Sequence, residues 1–164
     1  DVSYMENRLN ESMVYTGEYT KRDEYWTNEA LDMGNGIRLR EENEGPCIVN
    51  WKRKEIRGDI EVNDEHEFSV SSRSELERLL ADIGFHPWIR KIKRGKAFRK
   101  NSILAELSNI EGLGSFLELE ILTDTDDEAC VSRARDELYR CLDFLRIEHS
   151  KIETRYYTDM LKNK

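Results

Sequence analysis

The feature that most constrains the fold is a set of like charges that come in pairs, with one residue between the two members. In Ile37-Arg38-Leu39-Arg40, two arginines alternate with two apolar side chains. Because successive side chains of a β-strand point to opposite faces, such a strand has one charged face and one apolar face. The pairs are Arg38 and Arg40, Lys52 and Lys54, Glu65 and Glu67, Lys91 and Lys93, and Glu118 and Glu120.

Most of the chain has the length, alternation and turn residues that are typical of strands. The predicted strands are 18–26, 36–42, 46–55, 60–70, 86–94, 102–110 and 115–122. Tight turns are predicted between them, because glycine and proline supply the backbone conformations that turns need. These turns are Gly34-Asn35-Gly36, Glu44-Gly45-Pro46, Arg94-Gly95-Lys96 and Gly112-Leu113-Gly114. Strands with such short connections are predicted to be antiparallel neighbours.

Two longer helices and one short helix are also predicted. Ser72-Arg73-Ser74-Glu75 has the pattern of a capping box, and Gly84 is a suitable end for the helix that follows it. A second helix is predicted from about 126 to 145, with an acidic start that suits the helix dipole. The short helix is predicted near 158–162.

The charged faces have two interpretations. In the first, they form the solvent side of an open sheet, as ion-pair ladders of an interaction domain. In the second, the sheet closes, its apolar faces pack outward against the helices, and its charged faces converge on a lumen. Like charges two residues apart repel each other, so a solvated face gains little from repeating them. We therefore predict an α+β fold, a closed antiparallel β-barrel-like tunnel with two or three flanking helices.

Composition excludes several classes of protein. A length of 164 residues suits one domain, predicted over residues 1–164. The net charge of −8 argues against a general nucleic-acid binder, although local cations can still hold a small anion. The three cysteines lack metal-ligand spacing, and there is no signal peptide and no apolar run of membrane-spanning length. These features predict a cytoplasmic protein that binds neither nucleic acid nor a membrane.

A lumen lined by charges of both signs suits a triphosphate. Arginine and lysine side chains bind phosphate oxygens, and arginine can do so with two parallel hydrogen bonds. Carboxylates hold Mg²⁺ or Mn²⁺, which bridges to the phosphate. Phosphoryl transfer mainly requires positioning and charge neutralisation, so cations and a carboxylate-held metal could suffice.

Several segments occur in the order found in one known family. They are Arg22-Asp23-Glu24-Tyr25-Trp26, Ile37-Arg38-Leu39-Arg40, Val49-Asn50-Trp51-Lys52, Glu65-His66-Glu67, Lys91-Ile92-Lys93 and the run from Gly112-Leu113-Gly114 to Glu118-Leu119-Glu120. On these residues the chain resembles the CYTH superfamily, the triphosphate tunnel metalloenzymes, which include class IV adenylyl cyclases and thiamine triphosphatases. The resemblance covers residues 20–162 and implies a tunnel of about eight strands that binds a triphosphate and a divalent metal.

The resemblance also implies roles for individual residues. The implied phosphate ligands are Arg38, Arg40, Lys52, Lys91 and Lys93, which Lys54 could join on the same face. Glu118 and Glu120 are the implied ligands of Mg²⁺ or Mn²⁺, and Glu65 and Glu67 would support the cationic lining. No catalytic residue is assigned.

Two positions depart from the family pattern. The family's first strand contains Glu-x-Glu-x-Lys, and residues 1–20 do not supply it. The acidic residue usually found before the Gly-Leu-Gly turn is Ser108 here, although Glu106 shares its strand face. If the chain is complete, its metal site is expected to keep only Glu118 and Glu120.

The sequence therefore supports two main hypotheses for function. The first is an enzyme, an adenylyl cyclase or a triphosphatase, that performs metal-dependent chemistry on ATP, thiamine triphosphate or tripolyphosphate. The alternative is a non-catalytic nucleotide- or polyphosphate-binding domain that has lost part of its metal site. A homodimer is compatible with both hypotheses.

Overall fold

The computed structural model describes residues 1–29 and 36–163, with the backbone alone at Lys54. Gly34 and Asn35 of a predicted turn lie outside the described residues. The elements are α1 (Val2–Ser12), β1 (Val14–Thr27), β2 (Ile37–Glu42), β3 (Cys47–Arg57), β4 (Ile60–Val70), α2 (Arg73–Asp82), β5 (His86–Lys100), β6 (Ile103–Ile110), β7 (Gly114–Ile121), α3 (Glu128–Leu145), a 3₁₀ turn (His149–Lys151) and α4 (Tyr157–Lys162). Over the described ranges, no helix is long and apolar enough to cross a membrane.

The strands form one antiparallel sheet in the order β4-β3-β2-β1-β5-β6-β7. The two longest strands, β1 and β5, pair at its centre, from Val14 opposite Arg99 to Thr27 opposite His86. The sheet curls into a half-barrel with β4 and β7 as its edges. This confirms the predicted antiparallel, barrel-like α+β fold. The strands that the structure describes number seven, and they leave the barrel open because β4 and β7 do not pair with each other.

Helices α1, α2 and α3 cover the convex side of the sheet, where the apolar faces of the strands point. One buried cluster joins Leu9 of α1, Phe98 of β5 and Leu145 of α3. A second cluster places Leu80 of α2 against Leu39 and other side chains of the first three strands. Full burial of one such side chain contributes about 1.5–3 kcal/mol. The charged faces of the strands therefore point to the concave side, as their alternation predicts.

The starts of α2 and α3 follow their sequence signals. The Ser72 hydroxyl accepts a hydrogen bond from the backbone N–H of Glu75 at 3.3 Å, as the capping-box pattern predicts. Asp127 caps α3 by accepting from the backbone N–H of Cys130 at 2.9 Å. The helix ends at Leu145, the predicted residue, and begins at Glu128.

The predicted turn at Arg94-Gly95-Lys96 is wrong, because β5 continues through these residues. Gly95 lies between Tyr19 of β1 and Ser108 of β6. A Cβ atom at this position would lie 2.6 Å from the carbonyl oxygen of Leu107 and 2.7 Å from the Tyr19 hydroxyl. Glycine is therefore needed for the close approach of neighbouring groups, which is its usual meaning inside a strand.

Candidate functional site

Five cationic side chains lie together at the centre of the concave face. The neighbouring strands β2, β1 and β5 position them, because their register places Asp23 between Arg40 and Lys91, and Lys21 opposite Lys93. Their side chains are only 5–17% exposed. We call this group the basic floor: Lys21, Arg38, Arg40, Lys91 and Lys93.

Asp23 anchors one half of the basic floor. Its buried carboxylate accepts hydrogen bonds from Nε and Nη2 of Arg40 at 2.7 and 2.8 Å. Nζ of Lys91 lies 3.2 Å from the same carboxylate and donates to the Tyr25 hydroxyl at 3.1 Å. Burial raises the pKa of Asp23, but the hydrogen bonds from Arg40 and the charge of Lys91 outweigh burial and hold this pKa far below its usual range. Arg40 and Lys91 are thus fixed by a permanently ionised partner.

Glu106 holds the other half of the basic floor. Its two carboxylate oxygens accept hydrogen bonds from Lys21 at 2.5 Å and from Lys93 at 2.6 Å. Burial opposes ionisation, yet the charges of both lysines lower the pKa of Glu106 to about 2. Burial and the charges of Lys21 and Lys91 lower the pKa of Lys93 to about 8, against the opposing effect of Glu106. The charge of Lys93 is therefore only partly compensated.

Three further acids reach the basic floor from its edges. The Glu65 carboxylate accepts a hydrogen bond from Arg38 at 3.1 Å, and the Glu67 carboxylate lies 3.6 Å from the same guanidinium. Asn50 donates to both of these acids. Glu118 of β7 accepts a hydrogen bond from Lys93. We call these three the rim acids; their side chains are 31%, 50% and 37% exposed for Glu65, Glu67 and Glu118.

Charge on the concave face is therefore layered by depth. The side chains of the basic floor are at most 17% exposed, whereas the rim acids are a third to a half exposed. A rim acid is close enough to solvent for its carboxylate to turn outward and be hydrated. A buried cation has no such freedom. An entering anion can consequently replace the rim acids while Asp23 and Glu106 continue to support the basic floor.

The predicted phosphate ligands that the structure describes in full all lie on the concave face. Four of them belong to the basic floor: Arg38, Arg40, Lys91 and Lys93. Lys52 lies nearer the β4 edge, 3.6 Å from Glu61, and the side chain of Lys54 is outside the described part of the chain. Arg38, Lys91 and Lys93 are buried, so the open-sheet interpretation with solvent-facing cations is wrong for these residues.

The predicted metal ligands share one face of β7 but differ in their surroundings. Glu118 lies opposite Glu106, whereas Glu120 is exposed and lies opposite Leu104. Within residues 1–29 and 36–163, no group of three His, Cys, Asp or Glu side chains could hold a metal ion. Mg²⁺ is commonly bound by one or two carboxylates together with substrate phosphates. Glu118 and Glu120 therefore do not form a complete metal site by themselves.

The like-charge pattern does not predict three residues of the site, namely Lys21, Asp23 and Glu106. Lys21 and Asp23 alternate on β1 as the predicted pairs do on their strands, but the two have opposite charges. Glu106 is predicted to share a face with Ser108, and no partner is predicted for it. All three would be found by a search for ionisable residues of either sign at the strand positions that face the concave side.

Helix α4 covers part of the concave face. The ring of Tyr157 meets that of Phe116 edge-on, with 5.0 Å between centroids. Nζ of Lys91 lies 5.2 Å from the centroid of the Tyr157 ring, close enough for a cation–π interaction. Thr158, the next residue of the helix, is buried. The helix therefore limits access to Lys91 from this side.

These features define a class of protein in which a curled antiparallel sheet presents a basic concave face suited to an anion. The model of the CYTH domain family matches residues 21–157. The chain therefore belongs to the CYTH domain family.

Known proteins from archaea and bacteria are similar to this chain. A protein of Methanocaldococcus jannaschii, provisionally named an adenylate cyclase, is 27% identical over 160 residues, which cover 96% of this chain and 83% of that protein. The structure of PH1012 from Pyrococcus horikoshii OT3 matches with a TM-score of 0.84 and 19% identity, covering 97% of this chain and 93% of that one. A provisionally named adenylate cyclase from Vibrio parahaemolyticus matches with a TM-score of 0.83 and 18% identity, covering 99% and 92%. At these identities the two structures show a shared fold.

Proposed function

We propose that the concave face binds a small molecule that carries a triphosphate, such as ATP, thiamine triphosphate or tripolyphosphate. The observation that carries the proposal is the basic floor, in which four largely buried cations share two carboxylates, Asp23 and Glu106, and the fifth, Arg38, is paired with rim acids. Charge-assisted hydrogen bonds from arginine and lysine to phosphate oxygens are among the strongest that proteins make. Membership of the CYTH family supports the same class of ligand.

Arg38 and Lys93 are the cations best placed to meet the ligand first. Each is paired with a rim acid, Glu65 for Arg38 and Glu118 for Lys93, and these acids can turn into solvent. Arg40 and Lys91 are held from below by Asp23, so they would present a fixed charge to the phosphates.

A divalent ion, Mg²⁺ or Mn²⁺, forms part of the proposal. Glu118 and Glu120 would hold it together with phosphate oxygens, and it would supply neutralisation of the phosphate charge. A phosphate that draws Lys93 toward itself would also release Glu118 for this role.

We favour an enzyme acting on the bound triphosphate, as an adenylyl cyclase or as a triphosphatase. The names of the Methanocaldococcus and Vibrio proteins support this class. The basic floor would orient the phosphates and stabilise the charge that develops on their oxygens, which is most of what phosphoryl transfer requires. Attack by water on the terminal phosphorus would break its bond to the bridging oxygen and release inorganic phosphate. Attack by a ribose 3′-hydroxyl on the α-phosphorus of ATP would instead give cyclic AMP and release pyrophosphate.

A second candidate is a domain that binds a triphosphate without turning it over. Ser108 favours it, because this buried residue is neutral where the family usually has an acid. Its hydroxyl has no hydrogen-bond partner in the part of the chain that the structure describes.

Calorimetric titration with tripolyphosphate and with ATP tests the proposal, with and without Mg²⁺ or Mn²⁺. Arg38→Ala should weaken binding about tenfold to a hundredfold, since a hydrogen bond to a charged group contributes about 1.5–3 kcal/mol. Arg94→Ala is the matched control, because Arg94 is exposed and paired with Glu111 away from the basic floor. Equal affinities of the two variants would contradict the proposal.

Analysis of products in the same samples separates the two candidates. Release of inorganic phosphate or formation of cyclic AMP would identify the reaction. Tight binding without turnover would favour the binding domain.

A further inference from the structure

Two lysines of the basic floor lie side by side over one aromatic ring. Lys21 of β1 is directly opposite Lys93 of β5, and Tyr19 is directly opposite Gly95. The lysine Nζ atoms lie 4.4 Å and 5.6 Å from the centroid of the Tyr19 ring, for Lys21 and Lys93 respectively. The ring is buried, and the absence of a side chain at Gly95 makes room for its hydroxyl end. The Tyr19 ring is thus close enough to both ammonium groups for cation–π interactions.

Like charges directly opposite each other on neighbouring strands destabilise a sheet. Here the repulsion is offset by Glu106, whose two carboxylate oxygens each accept a hydrogen bond from one of the lysines. The side chains of Lys21 and Glu106 are 13% and 12% exposed, so water screens these charges weakly. One buried carboxylate therefore serves two buried ammonium groups, and the remaining compensation for Lys93 comes from Glu118 at the rim.

We propose that Lys21 is a further phosphate-binding residue of the basic floor, and that Glu106 is an internal counterion that sets how strongly the floor attracts an anion. The inference rests on the proposed function of the concave face. A phosphate that meets Lys93 also comes close to Lys21, because the two lysines share the oxygens of a single carboxylate. Glu106 holds the lysines together while its own negative charge weakens their attraction for the phosphate.

The two residues therefore have opposite effects on binding. Lys21→Gln removes an attractive charge and should weaken binding of tripolyphosphate about tenfold, and Glu106→Gln removes a repulsive charge and should strengthen it by a similar factor. The measurement is calorimetric titration with tripolyphosphate in the presence of EDTA, so that no metal ion contributes. A mildly acidic buffer keeps Lys93 protonated, since its pKa is about 8.

Opposite signs distinguish this inference from a purely structural role of the network, which would weaken binding in both variants. Glu6→Gln is the matched control. Glu6 accepts a hydrogen bond at 2.5 Å from Lys96, which lies on β5 like Lys93 but on the convex face. The affinity of Glu6→Gln should equal that of the wild type. Lys21→Arg retains the positive charge and should restore most of the affinity lost in Lys21→Gln.

Glu106→Gln leaves two buried lysines short of a counter-charge, so its folding is checked by circular dichroism. Should it fail to fold, Lys21→Gln and Lys21→Arg still decide whether Lys21 binds the anion, and the double variant Lys21→Gln/Glu106→Gln, which loses one charge of each sign, should bind more tightly than Lys21→Gln alone. Wild-type affinity in Lys21→Gln, or weaker binding in a folded Glu106→Gln, would overturn the inference. Absence of binding by the wild-type protein would instead overturn the proposed function, and the inference with it.

Discussion

Two ion-pair networks lie on opposite faces of the central strands, and they differ in which sign of charge is in excess. On the convex face, Arg73 of α2 is bound by three carboxylates, those of Glu24, Glu41 and Glu77, at 2.7–3.1 Å. On the concave face, four cations of the basic floor share the carboxylates of Asp23 and Glu106, and the fifth, Arg38, is paired with rim acids. Both networks include side chains of β1 and β2, and the convex one also includes Arg73 and Glu77 of α2.

This difference in charge balance indicates that the convex network attaches α2 to the sheet, whereas the concave network can bind a ligand. The convex network is complete within the protein, because its three carboxylates outnumber its two guanidinium groups, those of Arg73 and Arg90, and it ties the first turn of α2 to β1 and β2. The basic floor has more positive charge than its buried partners compensate, and exposed acids supply the remainder. Networks of the first kind hold elements together, whereas the second kind retains capacity for an external anion.

The largest effect on stability is expected from Asp23→Asn. The substitution leaves Arg40 and Lys91 buried without their shared counter-charge, which should lower the free energy of unfolding by about 3–5 kcal/mol. The measurement is urea unfolding followed by circular dichroism. Glu41→Gln is the convex counterpart and should cost less than about 1 kcal/mol, since Arg73 keeps two other carboxylates. Comparable losses in the two variants would remove the distinction between the networks.

Acid should weaken the basic floor through Glu106. The pKa of this carboxyl group is about 2 in the folded protein, against an ordinary value of 4.5. Because the folded pKa is the lower one, the stabilisation is complete above pH 4.5 and is lost as the pH falls toward about 2. We expect a loss of about 2–3 kcal/mol from this group.

The check is the free energy of unfolding in urea at several pH values through this window. Glu106→Gln has no carboxyl group to protonate at this position, so its stability should fall less steeply with acid. Identical slopes for Glu106→Gln and the wild type would show that Glu106 is not ionised by its lysine partners.

The smallest effect is expected from Arg73→Ala on the convex face. Its guanidinium is 29% exposed, so its loss should lower the free energy of unfolding by about 1–2 kcal/mol. Affinity for tripolyphosphate should not change, because α2 lies on the other side of the sheet. A marked loss of affinity with little loss of stability would show that the two faces are coupled.

Elements whose formation is determined by their own residues can be predicted from local sequence patterns. The alternation of the strands, the cap of α2 and the acidic start of α3 are examples, and the structure confirms them. Helix α1 is not predicted, because Leu9 is its only buried residue and its partners lie far along the chain. Arg8, for example, donates a hydrogen bond to the carbonyl oxygen of Phe144 at 2.5 Å. The sequence around Gly95 is likewise typical of a turn. The close approach of β1 and β6 on either side of Gly95 shows why glycine is required there.

The site divides in a similar way. Sequence alternation predicts that Arg38 and Arg40 share a face of one strand and that Lys91 and Lys93 share a face of another, because this depends on the period of a strand alone. It cannot predict which acid each cation meets, because that depends on the register between strands, and a shift of one residue turns every side chain to the other face. The pairing of Lys21 and Lys93 with Glu106 is a consequence of register and is visible only in the folded sheet.

The rim acids have a consequence for the kind of anion that the protein can accept. Every cation of the basic floor already has a carboxylate partner, so a ligand must replace several ion pairs at once. Chloride or a single phosphate would exchange one pair for another of similar strength. In a triphosphate, binding of the first phosphate raises the effective concentration of the other two at the neighbouring cations. We therefore expect the concave face to select ligands by the number of anionic groups joined in one chain.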